Sequence, residues 1–108
     1  MELHQIRYFL ALSEELSFRR AARRCNVAQS SLSRAIRALE IELGGALFHR
    51  ERANSHLSTL GQRVHPFLAQ AYAHVEGAKR RAESYLQQQA HLPLGSATQI
   101  ARHGKAGE

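Results

Sequence analysis

Cysteine, tryptophan and aspartate are scarce or missing in this chain. The 108 residues include one cysteine and no tryptophan, and every acidic residue is a glutamate. The single thiol of Cys25 excludes an internal disulfide framework and any metal site built from several thiolates. No apolar run approaches the roughly 20 residues that a membrane helix needs. No basic-then-apolar leader opens the chain either. We therefore expect a cytoplasmic protein.

Signatures of catalysis and of cofactor binding are missing too. The sequence has no glycine-rich phosphate loop, no nucleophile elbow and no paired-carboxylate motif, so we predict neither an enzyme nor a bound cofactor. It has seven histidines. Their separations, for example from His49 to His56 and from His65 to His74, do not match the short spacings of known zinc sites. The sequence therefore predicts no metal site.

Positive charge is in clear excess. Fifteen lysines and arginines oppose nine glutamates, which gives a net charge of +6 and a pI near 10.4. The segment from Leu16 to Leu39 carries arginines and no acidic residue. The planar guanidinium group binds phosphates and guanine edges better than an ammonium group does. The segment indicates a nucleic-acid partner, although a merely solvated basic face is the alternative.

Helical spacing of apolar residues predicts two helices at the start of the chain. The first covers Glu2–Leu16, and the second covers Phe18–Cys25 with Ser17 as its N-cap. The apolar stripe of the second helix includes Cys25, which we interpret as a small core residue rather than a reactive thiol. Asn26 follows at a position where a left-handed residue can end a helix.

A third helix is predicted to begin close to Ala28–Ser30 and to end at Leu43, before two glycines. Its apolar residues repeat at helical spacing on one face, whereas its other face is polar and basic and consists of Ser30, Ser33, Arg34 and Arg37. Two short helices joined by about three residues form a helix-turn-helix, whose second helix can enter the major groove of DNA.

A small hairpin and a long helix are predicted to follow. Two extended stretches flank a polar tip at Glu51–Ser55, which indicates a two-stranded wing. A helix over Ser58–Gln88 then has an apolar seam of heptad spacing. The seam is formed by Val64, Leu68, Ala71, Val75, Ala78, Ala82 and Tyr85. The domain is too small to cover this seam. We therefore expect the seam to pair with the same helix of a second copy of the chain. The alternative is a helix that folds back on its own domain.

Taken in order, these segments resemble the DNA-binding region of LysR-type transcriptional regulators. The resemblance extends from Met1 to about Tyr85. No single motif is specific to the family, but the ordered set of motifs at matching spacing is specific to it. It consists of Tyr8-Phe9, Ser17-Phe18, Ala21-Ala22, the run from Val27 to Arg34, Leu47-Phe48 and Leu57-Ser58.

The resemblance implies a mainly α fold, with a winged helix-turn-helix over residues 1–57 and a dimerisation helix over 58–88. Residues 89–108 include no Phe, Tyr or Trp, and their composition predicts a flexible tail. It also implies a sequence-specific regulator that binds an interrupted inverted repeat in double-stranded DNA as a homodimer, which can pair again into a tetramer. The family's C-terminal effector domain has no counterpart in this sequence, so we expect no small-molecule effector site.

Residue by residue, the resemblance assigns base reading to Gln29, Ser30, Ser31, Ser33 and Arg34. Chemically, Gln29 can pair with adenine, and Arg34 can bind guanine or a phosphate. Contacts to the DNA backbone or through the wing are expected from Arg19, Arg20, Arg23, Arg37, Arg50, Arg52, Asn54 and His56. Ala53 departs from the family, which commonly has an arginine there. For Arg50, the alternative is a structural role in which it braces the wing against Glu40 or the helix end.

Two other readings stay open at this point. A short chain with this seam could form heterodimers with full-length relatives and modulate them, with DNA contact secondary. A winged-helix regulator of the ModE type would share the fold and similar leading residues.

Overall fold

The computed structural model describes residues 1–51 and 54–90, with Asn54 described only in its backbone. Four helices and a two-stranded antiparallel sheet form the predicted winged helix-turn-helix and long helix, which confirms the fold class. The elements are α1 (Leu3–Glu15), α2 (Phe18–Cys25), α3 (Gln29–Leu43), β1 (Phe48–Glu51), β2 (Asn54–Leu57) and α4 (Thr59–Ala90). No helix in this part of the chain has the length and hydrophobicity to cross a bilayer. The predicted flexible tail falls mainly on residues 91–108, which lie outside the described residues.

The ends of α1 and α2 follow from single residues. Leu16 adopts a left-handed conformation (φ 55°), and its N–H donates to the Leu12 carbonyl at 2.8 Å. The Ser17 hydroxyl then accepts the Arg20 N–H at 3.2 Å, which caps α2 as predicted. Asn26 (φ 60°) ends α2, so the turn of the helix-turn-helix begins at the expected residue.

The core lies between α1, α2 and α3, and the start of α4 and the wing close it. In the part of the chain that the structure describes, six large side chains are fully buried: Phe9, Leu12, Leu32, Ile36, Leu39 and Leu47. Cys25 is 5% exposed and lies in the core with a free thiol. This confirms the interpretation of Cys25 as a small core residue. Burying six side chains of this size gives the main driving force for folding, on the order of 2 kcal/mol each.

The connection from α3 to the wing is fixed by polar contacts. The buried carboxylate of Glu40 accepts the Leu47 N–H at 2.8 Å, and the Leu47 carbonyl accepts the Ser58 N–H at 2.9 Å. The Ser58 hydroxyl donates to the Ala46 carbonyl and accepts the Gly61 N–H. These bonds connect the last turn of α3, the residues just before β1 and the N-terminus of α4.

The wing hairpin has a shorter tip than the sequence indicated. Strand β1 continues to Glu51 and β2 begins at Asn54, so the predicted tip at Glu51–Ser55 is wrong in its extent. In the antiparallel register, His49 is opposite His56 and Arg50 is opposite Ser55. Phe48 is buried, whereas His49 and His56 are exposed, as the alternation of a strand requires.

The chain divides into two compact units within α4. The first unit covers Met1–Ala73 and contains the three-helix core, the wing and the first part of α4. Leu68 of α4 is buried in the core of this unit, and Val64 and Tyr72 pack against the same core. The second unit begins at His74, and its described residues continue α4 to Ala90.

Candidate nucleic-acid interface

The N-terminal half of α3 presents a polar and basic surface. Gln29, Ser30, Arg34 and Arg37 are exposed, and Ser31 and Ser33 are half-buried at its edges. Ala28 precedes the helix and provides no side-chain cap, so the positive end of α3 is not neutralised by a side chain of its own N-cap. The side chains predicted to read bases therefore share one accessible end of a helix.

The opposite side of α3 anchors it to the domain. Leu32, Ile36 and Leu39 are completely buried, and Ala35 is almost so. These residues repeat at helical spacing, so the position of the polar face follows directly from the core face. Small side chains on α2, including Ala21 and Ala22, are also buried and permit close packing of the two helices.

The arginines of α2 fall into two groups. Arg20 lies 3.6 Å from the Glu15 carboxylate and also donates to the Glu15 carbonyl at 2.7 Å. Arg24 forms ion pairs with Glu14 and Glu15, and its hydrogen bonds to these carboxylates raise the pKa of the guanidinium group. These two cations are therefore partly neutralised by α1.

The other exposed arginines of the helix-turn-helix have no such acidic partner. Within residues 1–51 and 54–90, no ion pair involves Arg19 or Arg23 of α2, or Arg34 or Arg37 of α3. All four are solvent-exposed. They are the free positive charges that this part of the domain can offer to an anionic partner.

The wing is attached to the start of α2. The Arg50 guanidinium carbon lies 4.3 Å from the centre of the Phe18 ring, and the Ser55 N–H donates to the Leu16 carbonyl at 3.0 Å. The alternative role of Arg50 is a brace against Glu40 or a helix end. Glu40 is not its partner, because the Glu40 carboxylate accepts the Leu47 N–H, whereas Arg50 stacks on Phe18 at the first residue of α2. Sequence reasoning missed this contact, because the apolar stripe that includes Phe18 does not show which distant side chain packs against its ring.

The remaining predicted wing residues are placed only in part. His56 is exposed on β2, opposite His49. Asn54 starts β2, but its side chain is not described, and Arg52 lies outside the described residues.

The predicted dimerisation seam is divided between core and solvent. Leu68 is buried and Val64 packs against the same core. The other seam positions are exposed in the single chain, namely Ala71, Val75, Ala78, Ala82 and Tyr85. Phe67 is 73% exposed, the largest value among the exposed large apolar side chains, and the heptad analysis missed it because it lies one residue from Leu68.

The N-terminal part of the chain matches a known protein family. The family model described as "Bacterial regulatory helix-turn-helix protein, lysR family" matches residues 3–62. This range includes the three-helix core, the wing and the first residues of α4.

Curated bacterial regulators are similar over a longer range. The chain is 41% identical over 76 residues to the HTH-type transcriptional regulator IlvR of Caulobacter vibrioides, covering 70% of the chain and 26% of IlvR. It is 38% identical over 98 residues to the hca operon transcriptional activator HcaR of Escherichia coli, covering 88% of the chain and 32% of HcaR. The chain thus spans about a quarter to a third of the length of these relatives.

Solved structures of similar fold include DNA complexes. A full-length OxyR from Pseudomonas aeruginosa has a TM-score of 0.74 at 32% identity, covering 78% of this chain and 28% of OxyR. The BenM DNA-binding domain in complex with benA site 1 DNA has a TM-score of 0.72 at 33% identity, covering 79% of this chain and 99% of that domain. The CbnR DNA-binding domain in complex with DNA has a TM-score of 0.73 at 27% identity, covering 80% and 99%.

Proposed function

Because the chain belongs to the LysR family of bacterial regulatory helix-turn-helix proteins, which are DNA-binding transcriptional regulators and not enzymes, we propose that it binds an interrupted inverted repeat as a homodimer. In this proposal α3 enters the major groove in each half-site. The family match favours this proposal over a ModE-type regulator. As a bacterial DNA-binding regulator, the protein is expected to act in the cytoplasm, associated with the nucleoid.

The observation that carries the proposal is the exposed polar and basic face at the start of α3. The buried face of α3 fixes this helix rigidly in the domain, so its outer side chains are held in defined positions. Gln29 can form two hydrogen bonds with adenine, and Arg34 can form two with guanine. Ser30, Ser31 and Ser33 are short enough for the helix to approach the base edges closely.

Phosphate contacts would come from the exposed arginines around α3. Arg19, Arg23 and Arg37 have no acidic partner in the part of the chain that is described, so they can bind phosphates without breaking an ion pair. Arg20 would have to exchange its Glu15 carboxylate for a phosphate, so we expect a smaller contribution from it. Such contacts hold the protein on the duplex but do not select a sequence.

The wing would contact the backbone beside the recognition helix. Arg50 is stacked on Phe18, so we assign it mainly to positioning the wing, with any phosphate contact secondary. His56 is exposed on β2. Together with Arg52 and Asn54 it is proposed to contact the neighbouring groove or backbone.

Dimerisation would use the exposed apolar side chains of α4. Val75 is 38% exposed and Tyr85 is 46% exposed, although both lie at heptad positions typical of a buried seam. The alanines at 71, 78 and 82 allow a second helix to approach closely. Val64 and Leu68 pack in their own domain, so the intermolecular part of the seam would begin near Phe67 and Ala71.

The same exposed side chains support a second candidate function. A full-length relative with a similar helix could pair with this chain, and the mixed dimer would then carry one complete regulator. Native mass measurement of the chain mixed with such a relative distinguishes the two. A mixed species supports the second function, and separate homodimers contradict it.

Selection of bound fragments from a pool of random duplexes tests the main proposal. We expect enriched sequences with two similar half-sites in opposite orientation, and footprinting that protects both. Enrichment of a single half-site would contradict binding as a dimer. A pool that shows no enrichment after repeated rounds would contradict sequence-specific recognition.

A further inference from the structure

Two histidines lie directly opposite each other on the solvent face of the wing. His49 of β1 and His56 of β2 are register partners, and both are exposed. Their ring centres are 5.4 Å apart, with 58° between the ring planes. Phe48 and Arg50, the neighbours of His49 along β1, instead contact the helical domain. The two imidazoles are therefore accessible from solution on the side of the hairpin that faces away from the core.

This separation suits chelation of one metal ion. A zinc–imidazole bond is about 2.0–2.1 Å long, so two imidazoles bound to one tetrahedral ion have ring centres roughly 5 Å apart. The observed 5.4 Å is close to this value. Both residues belong to a hydrogen-bonded hairpin, so the backbone already holds them at the required distance.

We propose that His49 and His56 form a two-imidazole site for a divalent transition-metal ion. Imidazole is a ligand for zinc, nickel and copper, and affinity in such a site generally follows nickel < copper > zinc. In residues 1–51 and 54–90, no group of three or more histidine, cysteine or acidic side chains could hold a metal. Water molecules would therefore complete the coordination, and the site would be open rather than closed.

The proposal departs from the expectation drawn from sequence spacing. Six residues lie between His49 and His56, and this spacing matches none of the short ligand spacings of zinc motifs. The tight hairpin brings the two side chains together across the strands, and only the register shows this. The proposal depends on the geometry of the wing and does not require that the protein bind DNA.

Bound metal would connect the two strands. Because the ion would bind the folded hairpin and not the separated strands, it would stabilise the wing in proportion to its occupancy. Amide hydrogen exchange in β1 and β2 should therefore slow when the metal is added. This readout does not depend on DNA binding.

Titration of the untagged full chain with Ni²⁺ or Cu²⁺ tests the proposal. Calorimetry should give one site per protomer on the wing. Loss of an outer-shell partner typically costs 10–100-fold in metal affinity, so loss of a ligand in His49→Ala or His56→Ala should cost at least about tenfold. His74→Ala is the matched control, because His74 is an exposed histidine on α4. The metal affinity of this variant should equal that of the wild type.

The location of the metal can be checked by NMR with Zn²⁺. We expect the ring signals of both His49 and His56 to shift together and to saturate at one equivalent. Unchanged affinity in the variant that lacks both histidines would overturn the proposal. It would likewise be overturned if zinc shifted the ring of one histidine without the other.

Discussion

The Arg50 guanidinium carbon lies 4.3 Å from the centre of the Phe18 ring, so a cation of the wing is stacked on the first residue of α2. A second connection is the hydrogen bond that the Ser55 N–H donates to the carbonyl of Leu16 at 3.0 Å. Leu16 is the residue with a left-handed backbone conformation that ends α1. Both contacts end at the junction of α1 and α2. The position of the wing relative to the helix-turn-helix is therefore set by this junction.

A double-mutant cycle measures the coupling between Phe18 and Arg50. We expect Phe18→Leu and Arg50→Gln to interact by about 0.5–1 kcal/mol, the value typical of cation–π contacts near the surface. Urea unfolding of the two single variants and the double variant gives this coupling. The control cycle combines Phe18→Leu with Arg37→Gln, which changes an exposed arginine of α3. The effects of these two substitutions on the free energy of unfolding should be additive. Additive effects of Phe18→Leu and Arg50→Gln would show that the stacking contributes nothing to stability.

Gly61 is required because α4 starts against the backbone of Leu47. A Cβ atom at this position would lie 2.3 Å from the Leu47 carbonyl oxygen, which cannot move without disturbing the hydrogen bond to Ser58. We expect Gly61→Ala to lower the free energy of unfolding by about 1–3 kcal/mol.

Gly77 is the matched control within the same helix. A Cβ atom there would lie 3.9 Å from the nearest side-chain atom, in Arg80. Gly77→Ala should raise stability by up to about 1 kcal/mol through helix propensity. Urea unfolding measures both variants. Equal effects of the two substitutions would contradict the steric explanation for Gly61.

Arg34 is expected to read a base. Arg34→Ala should weaken binding to the selected duplex by about 1–3 kcal/mol and relax the preference at one base pair in each half-site. Fluorescence anisotropy with duplexes substituted at single positions measures both effects. Arg81→Ala, which removes an exposed arginine of α4, should leave the preference unchanged. If Arg34→Ala weakened binding equally on every sequence, Arg34 would be a phosphate contact only.

Val75 is expected to be buried between two copies of α4. Val75→Glu places a carboxylate in this interface on both helices, so it should weaken self-association at least about tenfold. Sedimentation equilibrium measures the change. Ser84→Glu adds the same charge on the opposite side of the helix and should leave association unchanged. Equal association of wild type and Val75→Glu would place the dimer interface elsewhere.

Most helix boundaries could be predicted from the sequence, because local signals set them. Ser17 and Asn26 mark the two ends of α2, and the glycine that follows Leu43 ends α3. The burial of Cys25 also followed from helical spacing alone. In these cases one residue and its neighbours along the chain contain the necessary information.

Contacts between distant segments could not be predicted in the same way. The sequence could not decide between Glu40 and a helix end as the partner of Arg50. In the structure Glu40 accepts the Leu47 N–H, and Arg50 stacks on Phe18 at the start of α2. A heptad count could not separate Val64 and Leu68, which pack in their own core, from the exposed residues that follow. The assignment of individual side chains to DNA and to the dimer interface stays a prediction.

Binding affinity measured against salt concentration, on the selected duplex and on a scrambled duplex, tests the central claim most directly. If about six phosphates are neutralised by each dimer, the logarithm of the binding constant should fall with the logarithm of salt concentration with a slope of roughly −5 on the selected duplex. The selected duplex should also bind at least about a thousandfold more tightly than the scrambled one at the same salt concentration. A slope near zero would contradict phosphate binding by the exposed arginines. Equal affinity for the two duplexes would contradict sequence-specific recognition by the basic face of α3.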